Sequence, residues 1–161
     1  MLFSLATPEY THIQSNATKV RVHLRSGVAE IFEQHQDLMG KIDNNIIEIE
    51  TNFENKTEKT SFILQDAVFI VLNKQMESYD SEGTGIYVYA KRVREISSSL
   101  SLEEIIQEYE EKVIDFETEK QALTNYNIDT LDQNLNAKLF VLKEDVDFLK
   151  TVISVVKDCK T

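Results

Sequence analysis

In 161 residues the chain has one cysteine, one proline, four glycines and no tryptophan. The lone thiol, Cys159, cannot close an internal disulfide or supply a cysteine-based metal cluster, which fits a reducing compartment. Four glycines are too few for most phosphate-cradling or dinucleotide-binding loops, and neither a glycine-lysine phosphate loop, a paired-glycine turn nor a nucleophile elbow occurs. No segment approaches the roughly eighteen apolar residues of a membrane span. Met1-Leu2-Phe3-Ser4-Leu5 lacks both the basic start and the long apolar stretch of a secretion signal. The expected protein is therefore soluble and cytoplasmic, peripheral to a membrane only through a larger complex, with no insertion of its own. Basic residues are also scarce. Seventeen Lys and Arg stand against 28 Asp and Glu, a formal charge of −11 that argues against a nucleic-acid partner.

Catalytic chemistry is equally absent from the pattern. His12, His23 and His35 lie far apart in sequence and read as surface or hydrogen-bonded side chains. Glu103, Glu104, Glu108, Glu110 and Glu111 read as a solvated helix face, because hard cations need oxygens converging from bent loops. No catalytic residue, cofactor or metal is expected. The charge is uneven: residues 1 to 100 hold 14 acidic and 10 basic side chains, a net of −4, while 101 to 161 hold 14 and 7, a net of −7. A basic partner for the second part is one reading of this excess, and a merely solvated acidic face is the other.

What the chain does have is a change of period near residue 97, which divides it into an expected β-sandwich or barrel, 1–96, and a helical hairpin, 97–161. Thr18 to Leu24 and Gly85 to Ala90 alternate with the period of two of a half-buried strand. Further strands are expected at Leu2 to Ala6, Thr11 to Gln14, Val28 to Glu33, Ile46 to Glu50, Ser61 to Gln65 and Ala67 to Asn73. Ala67 to Asn73 is nearly all apolar, as for a strand buried on both faces. Gly85 to Val93 reads as one final strand, and Asn52 to Lys59 and Gln75 to Thr84 as polar loops. The fold class is α+β, with eight to ten short strands before two helices.

The helical part opens at Ser101-Leu102-Glu103-Glu104, where the hydroxyl can cap and Glu104 can reach back. A break at Asn125-Tyr126-Asn127 and a cap at Asp129 or Thr130 lead into a second helix running to about Lys157. Its apolar seam is Leu135, Leu139, Leu142, Val146, Leu149, Ile153 and Val156, a four-and-three spacing. Two such helices should pack antiparallel, and the additional Phe140, Val141, Phe148, Val152 and Val155 make the apolar surface wider than one partner helix covers.

The order of elements resembles the epsilon subunit of the bacterial F-type ATP synthase. Leu5-Ala6-Thr7-Pro8-Glu9 is similar to that family's strand ending in Thr-Pro. Gly27 to Met39 keeps the glycine, Ile31, His35 and the apolar pair Leu38 and Met39 of its glycine, strand, Gly-His-Ala-Pro-Leu-Leu stretch. Asn45 to Ile49 is similar to its Gly-x-Val-x-Ile strand, and Phe62 to Val71 to its Phe-x-x-x-Gly-Gly-x-x-x-Val hairpin. The chain departs from the pattern where Glu33-Gln34 replaces Pro-Gly and Asp66-Ala67 replaces the double glycine, so two tight turns use residues that tolerate positive φ less well. Val28 stands where many members carry a carboxylate facing the membrane rotor ring, and the Ala-Arg-Ala pattern tied to ATP binding in some members is missing.

The resemblance implies a noncatalytic rotor subunit. Its sandwich would grip the gamma subunit, and its helices would reach the alpha/beta catalytic ring and restrain hydrolysis, with the membrane rotor ring a further neighbour. Partner contacts are expected at Ile31, His35, Leu38 and Met39, and along the seam at Leu142, Val146, Leu149 and Ile153. Two alternatives stay open: a specialised rotary ATPase without an ion-pumping ring, and an unrelated adaptor binding one protein through each half.

Overall fold

The structure, a computed structural model, describes residues 1–53, 56–74, 83–97, 99–125 and 133–160, with the backbone alone for 53, 74, 124, 125, 133–135, 159 and 160. The chain divides into two compact units, Met1–Ser98 and Ser99–Thr161. The first is all β. Its strands are β1 (Leu2–Ala6), β2 (Thr11–Gln14), β3 (Ala17–Leu24), β4 (Gly27–Phe32), β5 (Leu38–Ile42), β6 (Asn45–Phe53), β7 (Lys56–Gln65), β8 (Ala67–Lys74), β9 (Gly83–Tyr89) and β10 (Arg92–Glu95). They form two five-stranded sheets, β2-β1-β9-β8-β5 and β10-β7-β6-β3-β4. All neighbours are antiparallel except β1 and β9, which run parallel with Leu2 opposite Gly85 and Ala6 opposite Tyr89.

Strand alternation decides which residues meet between the sheets. Phe3 and Leu5 of β1, Phe69 and Val71 of β8 and Ile86 and Val88 of β9 point inward from the first sheet. Val20, Val22, Ile31, Ile47, Ile49, Phe62 and Leu64 answer from the second, giving one contiguous core. Gly40 sits directly opposite Phe69, and a Cβ there would lie 2.5 Å from the Phe69 ring, so β5 approaches only because this residue has no side chain. His12 lies between Phe3 and Phe62, with ring centroids 6.3 and 5.1 Å away.

Several elements differ from the expectations. Gly85 to Val93 is two strands, because the chain changes sheets: the Ala90 amide donates to Ala6 in the first sheet and that of Lys91 to Gln65 in the second. The polar stretch Asn52 to Lys59 is largely ladder, with Asn52 opposite Thr57 and Phe53 opposite Lys56, and the Thr57 hydroxyl donates to Asn52 Oδ1 at 3.0 Å. Its side chains are polar because both faces are wet there, a pattern that mimics a loop. Leu38–Ile42 forms β5, which was not anticipated, since alternation is hidden by Gly40 and Lys41. The expected tip at Gln75 to Thr84 lies for residues 75–82 outside the described residues, and its last two residues, Gly83 and Thr84, open β9.

The second unit is a helix pair, α1 (Leu102–Asn125) and α2 (Gln133–Lys160). The Glu104 amide donates to the Ser101 hydroxyl at 3.3 Å, the expected cap, and that hydroxyl donates in turn to Glu103 Oε2 at 3.1 Å. The break at 126–127 and the caps at Asp129 and Thr130 lie outside the described residues, as does the side chain of Cys159. Lys112 pairs with Asp145 at 3.9 Å and Lys138 pairs with Glu119. From the first pair to the second the α1 member advances by seven residues while the α2 member retreats by seven, which fixes the helices as antiparallel.

Candidate partner-binding surfaces

The two outer faces of the sandwich differ in kind. On β3, β4 and β6 the outward positions are largely charged and paired with each other. Arg21 Nη2 meets Glu30 Oε1 at 2.6 Å and Arg21 Nη1 meets Glu48 Oε2 at 3.2 Å. Lys59 Nζ lies 2.6 Å from Glu48 Oε1, His23 Nε2 lies 3.4 Å from Glu48 Oε2, and Lys19 pairs with Glu50 at 2.8 Å. Burial pushes the Glu48 carboxyl up, but the bonds from Lys59 and His23 outweigh it and hold the group below the usual carboxylate range. The Arg21 hydrogen bond likewise draws Glu30 down. Among the described residues, the exposed large apolar side chains on this sheet, Val28 and Phe32, lie on the edge strand β4 with Glu30 between them.

The outer face of β2-β1-β9-β8-β5 is apolar across all five strands. One cross-strand row runs Ile13, Ser4, Tyr87, Ile70, Met39, and the next runs Thr11, Ala6, Tyr89, Val68, Lys41, with Leu2 and Leu72 flanking Gly85 in a third. Leu2, Ile13, Met39, Val68, Leu72 and Tyr89 are between 36% and 71% exposed, far beyond the isolated apolar residues scattered on most surfaces. The middle is flat. A Cβ on Gly85 would lie 2.9 Å from the Tyr87 ring, so that ring lies over the glycine and fills the dip it leaves. Five strands at about 4.8 Å spacing give a face roughly 20 Å wide, comparable to two helices side by side at about 10 Å each.

Of the four partner residues expected in the sandwich, the structure brings Met39 to this face. Ile31 is fully buried in the core and has no side-chain surface to offer, because its strand position faces inward opposite Val20. Leu38 is half-buried against the same core. His35 is half-buried in the turn after β4, where its amide donates to Phe32 and its Nδ1–H donates to the Gln36 carbonyl at 2.7 Å. That turn is tied to β9: Glu33 accepts from the Thr84 amide at 2.7 Å, and the Gln34 amide donates to the Thr84 hydroxyl at 2.8 Å. Glu33 also pairs with the Met1 ammonium at 2.8 Å, and this bond and the Thr84 amide hold its carboxyl below the usual range. Ile13, Val68, Leu72 and Tyr89 escaped the sequence reading. The continuous apolar run of β8 was the available signal; it marks one face toward the core and one left open, not burial on both.

On the helices, Leu142 and Leu149 are buried, whereas Val146 and Ile153 are only half-buried. The ion pairs of Lys138 and Asp145 to α1 show why. The seam combines the column Leu142, Leu149, Val156 with the column Lys138, Asp145, Val152, and the expected column Leu139, Val146, Ile153 lies one position round the helix, on its flank.

Among the described residues no group of three or more His, Cys, Asp or Glu could hold a metal ion, and no helix is long and apolar enough to cross a membrane. No known protein family and no curated protein matches the sequence. Among solved structures, a chain in the cryo-EM structure of the Euglena gracilis mitochondrial ATP synthase (OSCP/F1/c-ring, rotational state 1) is similar over 95% of this chain and 81% of its own. The TM-score is 0.54 at 9% sequence identity, a likeness of fold. A chain in the Tetrahymena thermophila mitochondrial ATP synthase central stalk/c-ring structure covers 95% of this chain and 96% of its own, with a TM-score of 0.48 and 13% identity.

Proposed function

We propose that the chain is a noncatalytic subunit of the central stalk of an F-type rotary ATPase, an epsilon-like part seated on the gamma subunit through the outer face of β2-β1-β9-β8-β5. One observation carries this reading: an apolar face wide enough for two helices stands on one sheet, while the outer face of β3, β4 and β6 on the other is largely charged and self-paired. A helical shaft matches the width of the open face, and burying its half-exposed side chains supplies the non-directional attraction such a seat needs. The likeness of fold to a chain of the Euglena assembly supports it. The helices then reach toward the alpha/beta ring, and their acidic excess selects basic elements there and restrains hydrolysis.

Val28, more than half exposed on the edge strand β4, favours one variant of this reading. An apolar side chain there has no charge to offer a membrane rotor ring, which fits a motor that works without one.

The test is co-purification of the native chain with mass spectrometry. Gamma, alpha and beta chains are expected, with ring subunits present in an ion-pumping assembly and absent in the specialised motor. Val68→Asp/Met39→Asp should release gamma while the variant stays folded. Recovery of the wild-type chain without any of these subunits, or unchanged gamma recovery by the variant, would refute the proposal.

A further inference from the structure

Met39 is 71% exposed, more than any other large apolar side chain among the described residues. It stands on β5 at one end of the cross-strand row that starts with Ile13, and the alternation of the strand turns its neighbour Gly40, not Met39, toward the Phe69 ring. The core does not use its side chain. On β8 it lies directly opposite Ile70, with Val68 and Leu72 on the two diagonals, and all three are apolar. Lys41, two residues along on the same face, already holds Asp43 at 2.8 Å. Of the other two methionines, Met1 packs partly buried against the core and Met76 lies outside the described residues.

A thioether is apolar and adaptable, which suits a seat for another protein, but unlike the side chains of Ile or Leu it reacts with peroxide. A sulfur lone pair attacks one oxygen of hydrogen peroxide, an S–O bond forms as the O–O bond breaks, and the departing hydroxide takes the proton of the transferred oxygen. The products are a sulfoxide and water. Sulfur is oxidised by two electrons and the peroxide is reduced by two. In the free chain the new oxygen is solvated. Beneath a partner it is sealed among Ile70, Val68 and Leu72, none of which can donate a hydrogen bond, and a buried acceptor without a donor is costly.

We infer that Met39 is an oxidation site that controls occupancy of the apolar face. Hydrogen peroxide converts it to the sulfoxide and loosens the gamma subunit, and a methionine sulfoxide reductase restores the seat. This rests on the reading of that face as the seat for gamma. The fold is spared, because the oxygen is added on the outer side of an edge strand.

The full chain, treated with hydrogen peroxide and then titrated with gamma subunit, tests the inference, with peptide mass spectrometry locating the added oxygen. Met39 should be oxidised ahead of Met1, and the melting temperature should move by no more than about 2 °C. Affinity for gamma should fall on the order of tenfold and recover after treatment with the reductase. Met39→Leu should show one and the same affinity before and after peroxide, whereas Met76→Leu should keep the full response. Unchanged affinity of the Met39-oxidised chain, an equal response in Met39→Leu, or unfolding on oxidation overturns the inference and leaves the seat standing. Failure of the untreated chain to bind gamma overturns both.

Discussion

Gln34 and Asp66 hold φ angles of 64° and 46°, in the left-handed region that glycine enters freely and other residues enter at a cost of about 1 kcal/mol. Neither is glycine, so these two turns hold a left-handed backbone that their side chains make strained. Gln34 is compensated by its amide bond to Thr84. Asp66 has only a loose ion pair with Lys41 at 3.9 Å. Asp66→Gly is therefore expected to raise stability by about 0.5–1 kcal/mol, read as a higher urea midpoint at an unchanged slope. Acid acts on other residues. Glu33 and Glu48 both have folded-state values below the ordinary carboxylate pKa, so their contribution is complete above that ordinary value and is lost as pH falls through the depressed ones. The urea midpoint should fall as pH drops below about 4.5, and Glu48→Gln should flatten that slope while lowering the midpoint at pH 7.

At the scale of elements, most strands could be read from alternation, and where reading failed the cause is specific. Thr18 to Leu24 alternates cleanly because β3 has core on one side and charged partners on the other. β8 does not alternate, because both of its faces are apolar for different reasons, one packed and one presented. β5 was hidden by Gly40, whose missing side chain is the accommodation to Phe69. On α2 the apolar residues spread over several neighbouring columns, so period alone could not choose the inner pair, and the choice fell to Asp145 and Lys138, which spacing rules for apolar residues ignore. Leu149→Ala and Val152→Ala should accordingly each cost the hairpin about 2–4 kcal/mol, whereas Val146→Ala and Ile153→Ala should cost less than about half of that. Thermal unfolding followed by circular dichroism at the helix band separates the two columns.

For the whole molecule the informative property is the difference between its two sheet surfaces, and only part of it was legible. Met39 was named from sequence as a contact, but the open face spans five strands whose neighbours are set by long-range pairing, as when β1 brings Leu2 beside Gly85. No local pattern encodes that. Substitution on this face should leave the fold alone: Val68→Asp is expected to shift the melting temperature by no more than about 2 °C while lowering fluorescence of an apolar-surface dye bound to the protein. Ile31→Asp, aimed at the core, should instead abolish folding.

The parallel pairing of β1 with β9 has a consequence for biosynthesis. Because Leu2 pairs opposite Gly85 and Ala6 opposite Tyr89, one edge of β1 stays uncovered until β9, the last strand of that sheet in chain order, has been made, so the sheet closes late. During that interval a nascent chain offers an uncovered strand edge, a template for pairing with the wrong chain.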